Sequence, residues 1–210
     1  MYSPRQFQEH RPEVLHALIQ QHPLGILVSQ KTGILDAWHI PFAFQPSEEG
    51  AGSLHAHIAR ANPLWLDVQQ NEEVLVIFRG ENAYISPSWY PSKHEHHQQV
   101  PTWNYQAAHV RGKIIIHDDK FYLHDQLTQL TKQQESMQEK PWQIADAPEQ
   151  YINAMIKAIV GVEIVITELT GVMKLSQNKS DADATGASEN LIKNGNVAIG
   201  QAILAKRLTR

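Results

Sequence analysis

The chain has 210 residues, 42% of them hydrophobic and 19% charged, enough to bury a core as one large domain or two small ones. A formal net charge of −4 argues against nucleic-acid binding through bulk positive charge, and the absence of cysteine excludes disulfides, thiol nucleophiles and thiolate metal sites. The polar start MYSPRQFQEHRPE has no apolar run of signal-peptide length, and no segment approaches the roughly 18 apolar residues of a membrane span, so a cytoplasmic protein is expected.

Pro12 opens a helix through PEVLHALIQQH, where Val14, Leu15, Leu18 and Ile19 form one apolar stripe, and Pro23 closes it. LGILVSQ and GILDAWHIPFAF, parted by a KTG turn, read as a strand hairpin. SLHAHI is a strand with Leu54, Ala56 and Ile58 on one face and His55 and His57 on the other. Asn62 caps a short helix that starts at Pro63 and runs through LWLDVQQ. EVLVIFRG, AYIS and AAHVRGKIIIH are strand-like, the last with Gly112 at a turn or bulge.

DDKFYLHDQLTQLTKQQES is helical by the recurrence of Leu123, Leu127 and Leu130, with Asp118 and Asp119 as its cap. DAPEQYINAMIKAIV gives another helix and GVEIVITELTG another strand. KLSQNKSDADATGAS reads as loop and the last twenty residues as helix. Strands that follow one another through hairpins, rather than alternating with helices, favour a mainly β protein with helices (α+β) built on a barrel over a doubly wound sheet. A single domain over residues 1–210 is expected. No Gly-x-Gly-x-x-Gly or phosphate-loop pattern follows a strand, which leaves a Rossmann-type nucleotide site without support.

HEHH is the most conspicuous cluster. His94, His96 and His97 do not share one face of a strand, and in a helix only 94 and 97 would meet. A histidine-rich solvated loop is the simpler reading, and no metal is expected there. The frame around it, YISPSWY and VPTWNY, interleaves Tyr84, Trp89, Tyr90, Trp103 and Tyr105 with Ser86, Thr102 and Asn104. Flat apolar faces beside fixed donors suit a heteroaromatic ligand, though they equally suit a core whose polar tips are satisfied.

HAHIARANP places His57, Arg60 and Asn62 at a strand-to-helix junction, where exposed N–H groups and a guanidinium suit a phosphate; the plain alternative is a capped helix with one surface arginine. Lys174, Ser176, Gln177 and Asn178 lie in a polar turn, and Asp181 and Asp183 read as solvated. Lys206, Arg207 and Arg210 form a basic helix end, more simply dipole compensation than a DNA contact. No nucleophile is paired with a base, so no catalytic residue is assigned.

In order, MYSPRQF, AWHIPF, HAHIARANP, FRGENAYISPSWYPSK, VPTWNY, EKPW, IVGVEI and KLSQN run across nearly the whole chain. This set resembles the PaiB family of FMN-binding negative transcriptional regulators of bacteria. The resemblance implies an FMN-binding split β-barrel, Greek-key and pyridoxamine-phosphate-oxidase-like, with helical insertions, a C-terminal helical extension and FMN at a homodimer interface. It implies Arg60 and Asn62 at the phosphate with His57 beside them, and Trp38 and His39 flanking the isoalloxazine. Tyr84, Ser86, Trp103 and Asn104 would contribute from the other side of the cleft, and Lys174, Ser176, Gln177 and Asn178 would close the site or the dimer.

The expected function is therefore regulation of transcription by a flavoprotein repressor, through DNA or a protein partner, with the flavin's redox state as a candidate signal. One alternative is a flavin-dependent oxidoreductase of the same fold without a regulatory role. Another is a haem-binding or cofactor-free interaction module, with His39, His57, His94 or His109 as candidate axial ligands.

Overall fold

The computed structural model describes residues 1–48 and 50–208, so Arg210 lies outside the described residues. Its elements are β1 (Gln8–Glu9), α1 (Pro12–Gln21), β2 (Leu24–Lys31), β3 (Ile34–Pro41), β4 (Ala43–Ser47), β5 (Gly50–Ala59), α2 (Leu64–Asp67), β6 (Glu73–Ile85), α3 (Ser92–His96), β7 (Thr102–His117), α4 (Lys120–Glu135), α5 (Glu149–Lys157), β8 (Ile159–Lys174), α6 (Asp181–Lys193) and α7 (Val197–Leu208). The strands hydrogen-bond in the order β3-β2-β6-β7-β8-β5-β4, with β1 beside β8.

The expected β2–β3 hairpin turns on Thr32 and Gly33, both at positive φ (51° and 86°), with Lys31 facing Ile34. Positive φ at both central residues is the mirror-image turn whose twist matches that of paired strands. β3 and β4 lie at opposite ends of the strand order, yet only Phe42 separates them in the chain. The two ends of the sheet must therefore meet at Phe42, which is buried and donates its N–H to Pro23 O (2.8 Å). This connection rolls the strands into a barrel.

The chain divides into two compact units, the first comprising Met1–His22, Phe78–His109 and Thr170–Arg210, the second Pro23–Ile77 and Val110–Leu169. In the second unit Leu54, Ala56 and Ile58 of β5 face Ile164, Val162 and Val160 of β8 across antiparallel pairs, and all six are buried. The period-2 pattern of SLHAHI thus sets the register, because a one-residue slip would turn the apolar set outward. In the first unit α1 buries Leu15, Leu18 and Ile19. α6 and α7 form a helical hairpin through Gly195 (φ 83°), with the Asn196 N–H donating to Leu191 O at 2.9 Å.

Several local expectations need correcting. Gly112 is not in a turn but inside β7, and a Cβ there would meet Val165 O at 2.5 Å and Ile164 Cγ2 at 2.6 Å. HEHH is not loop. His94 and His96 belong to α3, and His97 ends it in the left-handed conformation (φ 58°). The first turn forms because Asp183 Oδ1 takes the Ser92 N–H at 3.0 Å.

DADATGAS is likewise helix, the start of α6, with the preceding Ser180 as its cap, Oγ accepting the Asp183 N–H, and acidic groups on the first turn. Asp183 is buried rather than solvated. The helix at Pro63 is only Leu64–Asp67 long, and Asp119 alone caps α4, by accepting from the Phe121 and Tyr122 N–H groups.

Candidate functional site

Two of the frame's aromatics come together in the first unit. Tyr84 near the end of β6 and Trp103 near the start of β7 meet edge to face, ring centroids 6.2 Å apart and planes at 66°. They are 48% and 51% exposed, so ring surface remains open to a ligand. Trp103 Nε1 donates to Asn82 Oδ1 (3.2 Å), and the same oxygen accepts from an Arg79 guanidinium nitrogen (2.7 Å). Arg79 makes no ion pair with a described carboxylate. Arg79 and Asn82 were not anticipated; their signal lay in FRGEN, the stretch just before YISPSWY.

Strand alternation sends the neighbours of Trp103 the opposite way. Asn104 is buried and donates Nδ2 to Ser176 Oγ at 2.8 Å. Thr102 Oγ1 accepts from Lys174 Nζ at 2.7 Å, and burial pulls the Lys174 ammonium below its ordinary pKa. VPTWNY and KLSQN are thus joined, on the face of β7 turned away from the aromatic pair. Ser176 holds a left-handed backbone (φ 60°), unusual for a residue other than glycine.

Gln177 is folded onto its own turn, accepting from Leu175 N–H and donating to Met173 O, while Asn178 is exposed. Ser86 accepts from Ser88 N–H and caps the short 3-10 turn Pro87–Trp89.

The remaining predicted residues lie in the second unit, each with a local partner or exposed. Trp38 Nε1 donates to Ser29 Oγ (3.1 Å), and His39 is exposed. His57 pairs with Gln126 Oε1 (3.3 Å), and burial holds its imidazole below the ordinary pKa. Asn62 Oδ1 takes the Leu64 N–H (2.9 Å), so the four-residue α2 presents no open N-terminus to an anion.

Arg60 is a clamp. Its guanidinium spans Asp118 through two bonds (3.0 and 2.5 Å) and donates to Lys157 O (2.8 Å) and Ile159 O (3.0 Å). The Asp118 hydrogen bonds raise the Arg60 pKa, and Arg60 in turn lowers that of Asp118. A phosphate at Arg60 would have to displace a carboxylate already seated there.

Two concavities mark the second unit, and none of the predicted residues lines either. A mostly apolar groove of about 940 Å³ is walled by His124, Thr128 and Lys132 of α4 and by Trp142, Ile144 and Ile152. A smaller one of about 280 Å³ lies between β4 and α4, bordered by His55 and Tyr122.

The family described as "Putative FMN-binding domain" matches residues 1–168. The "Protease synthase and sporulation protein PAI 2" of Bacillus subtilis is 32% identical over 191 residues, covering 91% of this chain and 89% of that protein. The chain belongs to the PaiB family. Solved structures resemble this PaiB-family chain at low identity. The "FAD and Heme binding protein" from Mycobacterium smegmatis aligns with a TM-score of 0.60 at 14% identity, over 84% of this chain and 78% of the other. The flavocytochrome Anf3 from Azotobacter vinelandii aligns with a TM-score of 0.59 at 12% identity, over 87% and 77%. At such identities the likeness is one of fold, and it agrees with the rolled antiparallel sheet: the PaiB-family chain is a split β-barrel with helices. FMN is the cofactor its family implies.

Proposed function

We propose that the chain binds FMN on the exposed aromatic face of its first unit and acts as a homodimeric, cytoplasmic regulator of transcription. The observation that carries this reading is the Tyr84–Trp103 pair with Arg79 linked to it through Asn82. These residues fit the group in kind. Half-exposed rings offer a surface for an isoalloxazine, each such aromatic contact adding about 0.5–1.5 kcal/mol. Arg79 keeps donors free for a phosphate, which a guanidinium binds through paired charge-assisted bonds.

Behind them the Asn104–Ser176 and Lys174–Thr102 bonds fix the first residues of β7 and thereby hold Trp103 in place. Asn104, Ser176 and Gln177 are buried, and we assign them this supporting role; Lys174 shares it. Arg60, Asn62 and His57 belong to the scaffold of the second unit. A bound flavin supplies redox chemistry, and the protein supplies position and electrostatics.

Regulation is supported by the similarity to the sporulation protein of Bacillus subtilis. A protein partner is favoured over direct DNA contact, because Lys206 and Arg207, the described basic groups near the C-terminus, are engaged within the first unit. Lys206 donates to Glu9, and Arg207 to the carbonyls of Ser176, Lys179 and Ser180.

The test is the absorption spectrum of the purified protein with and without added FMN. A perturbed flavin band that Trp103→Leu abolishes supports the reading; an unchanged band at saturating FMN contradicts it. Turnover with NADH, without any effect on gene expression, would move the assignment to an oxidoreductase.

A further inference from the structure

We infer that the concavity between β4 and α4 is a second ligand site, for a small, neutral, planar ligand that carries a carbonyl oxygen beside an N–H, as an aromatic carboxamide or lactam does. The pocket, about 280 Å³, is bordered by Phe44, Pro46, His55, Tyr122, Asp125 and Gln126. That volume is below the range of drug-sized ligand sites, roughly 300–1,000 Å³, and suits a single-ring ligand.

Gln126 is the decisive residue. It occupies a core-facing position of α4 where an apolar side chain would be expected, and it is only 6% exposed. Its Oε1 meets His57, but its Nε2 has no hydrogen-bond partner among the described residues. A buried donor left unpaired costs about 1–3 kcal/mol, which an acceptor oxygen on a ligand would recover. On the rim, Asp125 Oδ2 accepts from Gln129 (2.7 Å), and its second oxygen remains for a ligand N–H. Phe44 and Pro46 supply the apolar face.

The adjoining wall, where Tyr122 stands one helical turn before Gln126, is held before any ligand arrives. Ser53 Oγ bonds His55 Nε2 (2.7 Å), His55 Nδ1 bonds the Tyr122 hydroxyl (2.8 Å), and the Tyr122 ring stacks on His117 at 3.8 Å. His117 in turn meets Glu163 at 2.8 Å. Burial lowers the His55 pKa and raises that of Tyr122, so both stay neutral near pH 7. A neutral wall beside the Asp125 carboxylate selects against an anion.

Nicotinamide and benzoate serve as probes, followed in proton–nitrogen correlation spectra of the full chain. Nicotinamide should shift the Gln126 side-chain amide saturably, and benzoate should bind at least about tenfold more weakly. Gln126→Met should weaken nicotinamide about tenfold or more while leaving FMN binding unchanged. Should that variant not fold, Asp125→Ala on the exposed rim should weaken nicotinamide severalfold. No saturable shift at Gln126, or undiminished binding in these variants, overturns the site. FMN binding is read separately by absorption, so failure of either assignment leaves the other standing.

Discussion

Glu9 is buried on β1 and accepts from Arg11 Nε (2.8 Å), an Arg11 terminal nitrogen (2.7 Å) and Lys206 Nζ (2.7 Å). The Arg11 hydrogen bond, opposed by burial and reinforced by Lys206, holds its carboxyl at about 2. A folded-state pKa below the unfolded value contributes stability above the unfolded pKa and loses it as pH falls through the folded one. Glu9→Gln should therefore cost about 2–3 kcal/mol at pH 7. In thermal melts the gap to wild type should close as pH falls from about 5 towards 2. A gap that does not depend on pH would show that packing, not charge, is at work. Arg60 shows where residue-level reading stops: its type suits a phosphate, whereas the carboxylate it bonds, Asp118, lies 58 positions away in the chain.

Among the elements, those with a strong apolar period were legible. α1, the β2–β3 hairpin and β5 follow from stripes and alternation that only one face can bury. α6 was missed because its buried positions include Ala184, Ala187 and Ser188, too small and polar to draw an apolar stripe, while its acidic start resembles loop. Ser180→Ala should remove its cap and lower stability by about 1 kcal/mol in urea unfolding. β7 makes a sharper test. Gly112→Ala would push a methyl onto the Val165 carbonyl and should cost about 1–3 kcal/mol. A neutral result would mean that the strands can part there without penalty.

At the scale of the whole molecule, hairpin order gave the fold class and the chain of motifs gave the family, because both survive without knowledge of contacts. The site was only half legible. The family resemblance points to Tyr84 and Trp103, but alternation along β7 puts Thr102 and Asn104 on the other face, and Arg79 joins the aromatics only once β6 and β7 lie side by side. Redox-dependent regulation predicts that partner affinity differs between oxidised and reduced flavin; equal affinity in pull-down titrations would remove that element of the proposal. The most direct test is an equilibrium titration of FMN against wild type, Arg79→Met, Trp103→Leu and Arg60→Met. The aromatic-face site predicts saturable binding to wild type, at least about tenfold weaker in the first two variants and unchanged in Arg60→Met. Full affinity in Arg79→Met and Trp103→Leu, with loss in Arg60→Met, would contradict it.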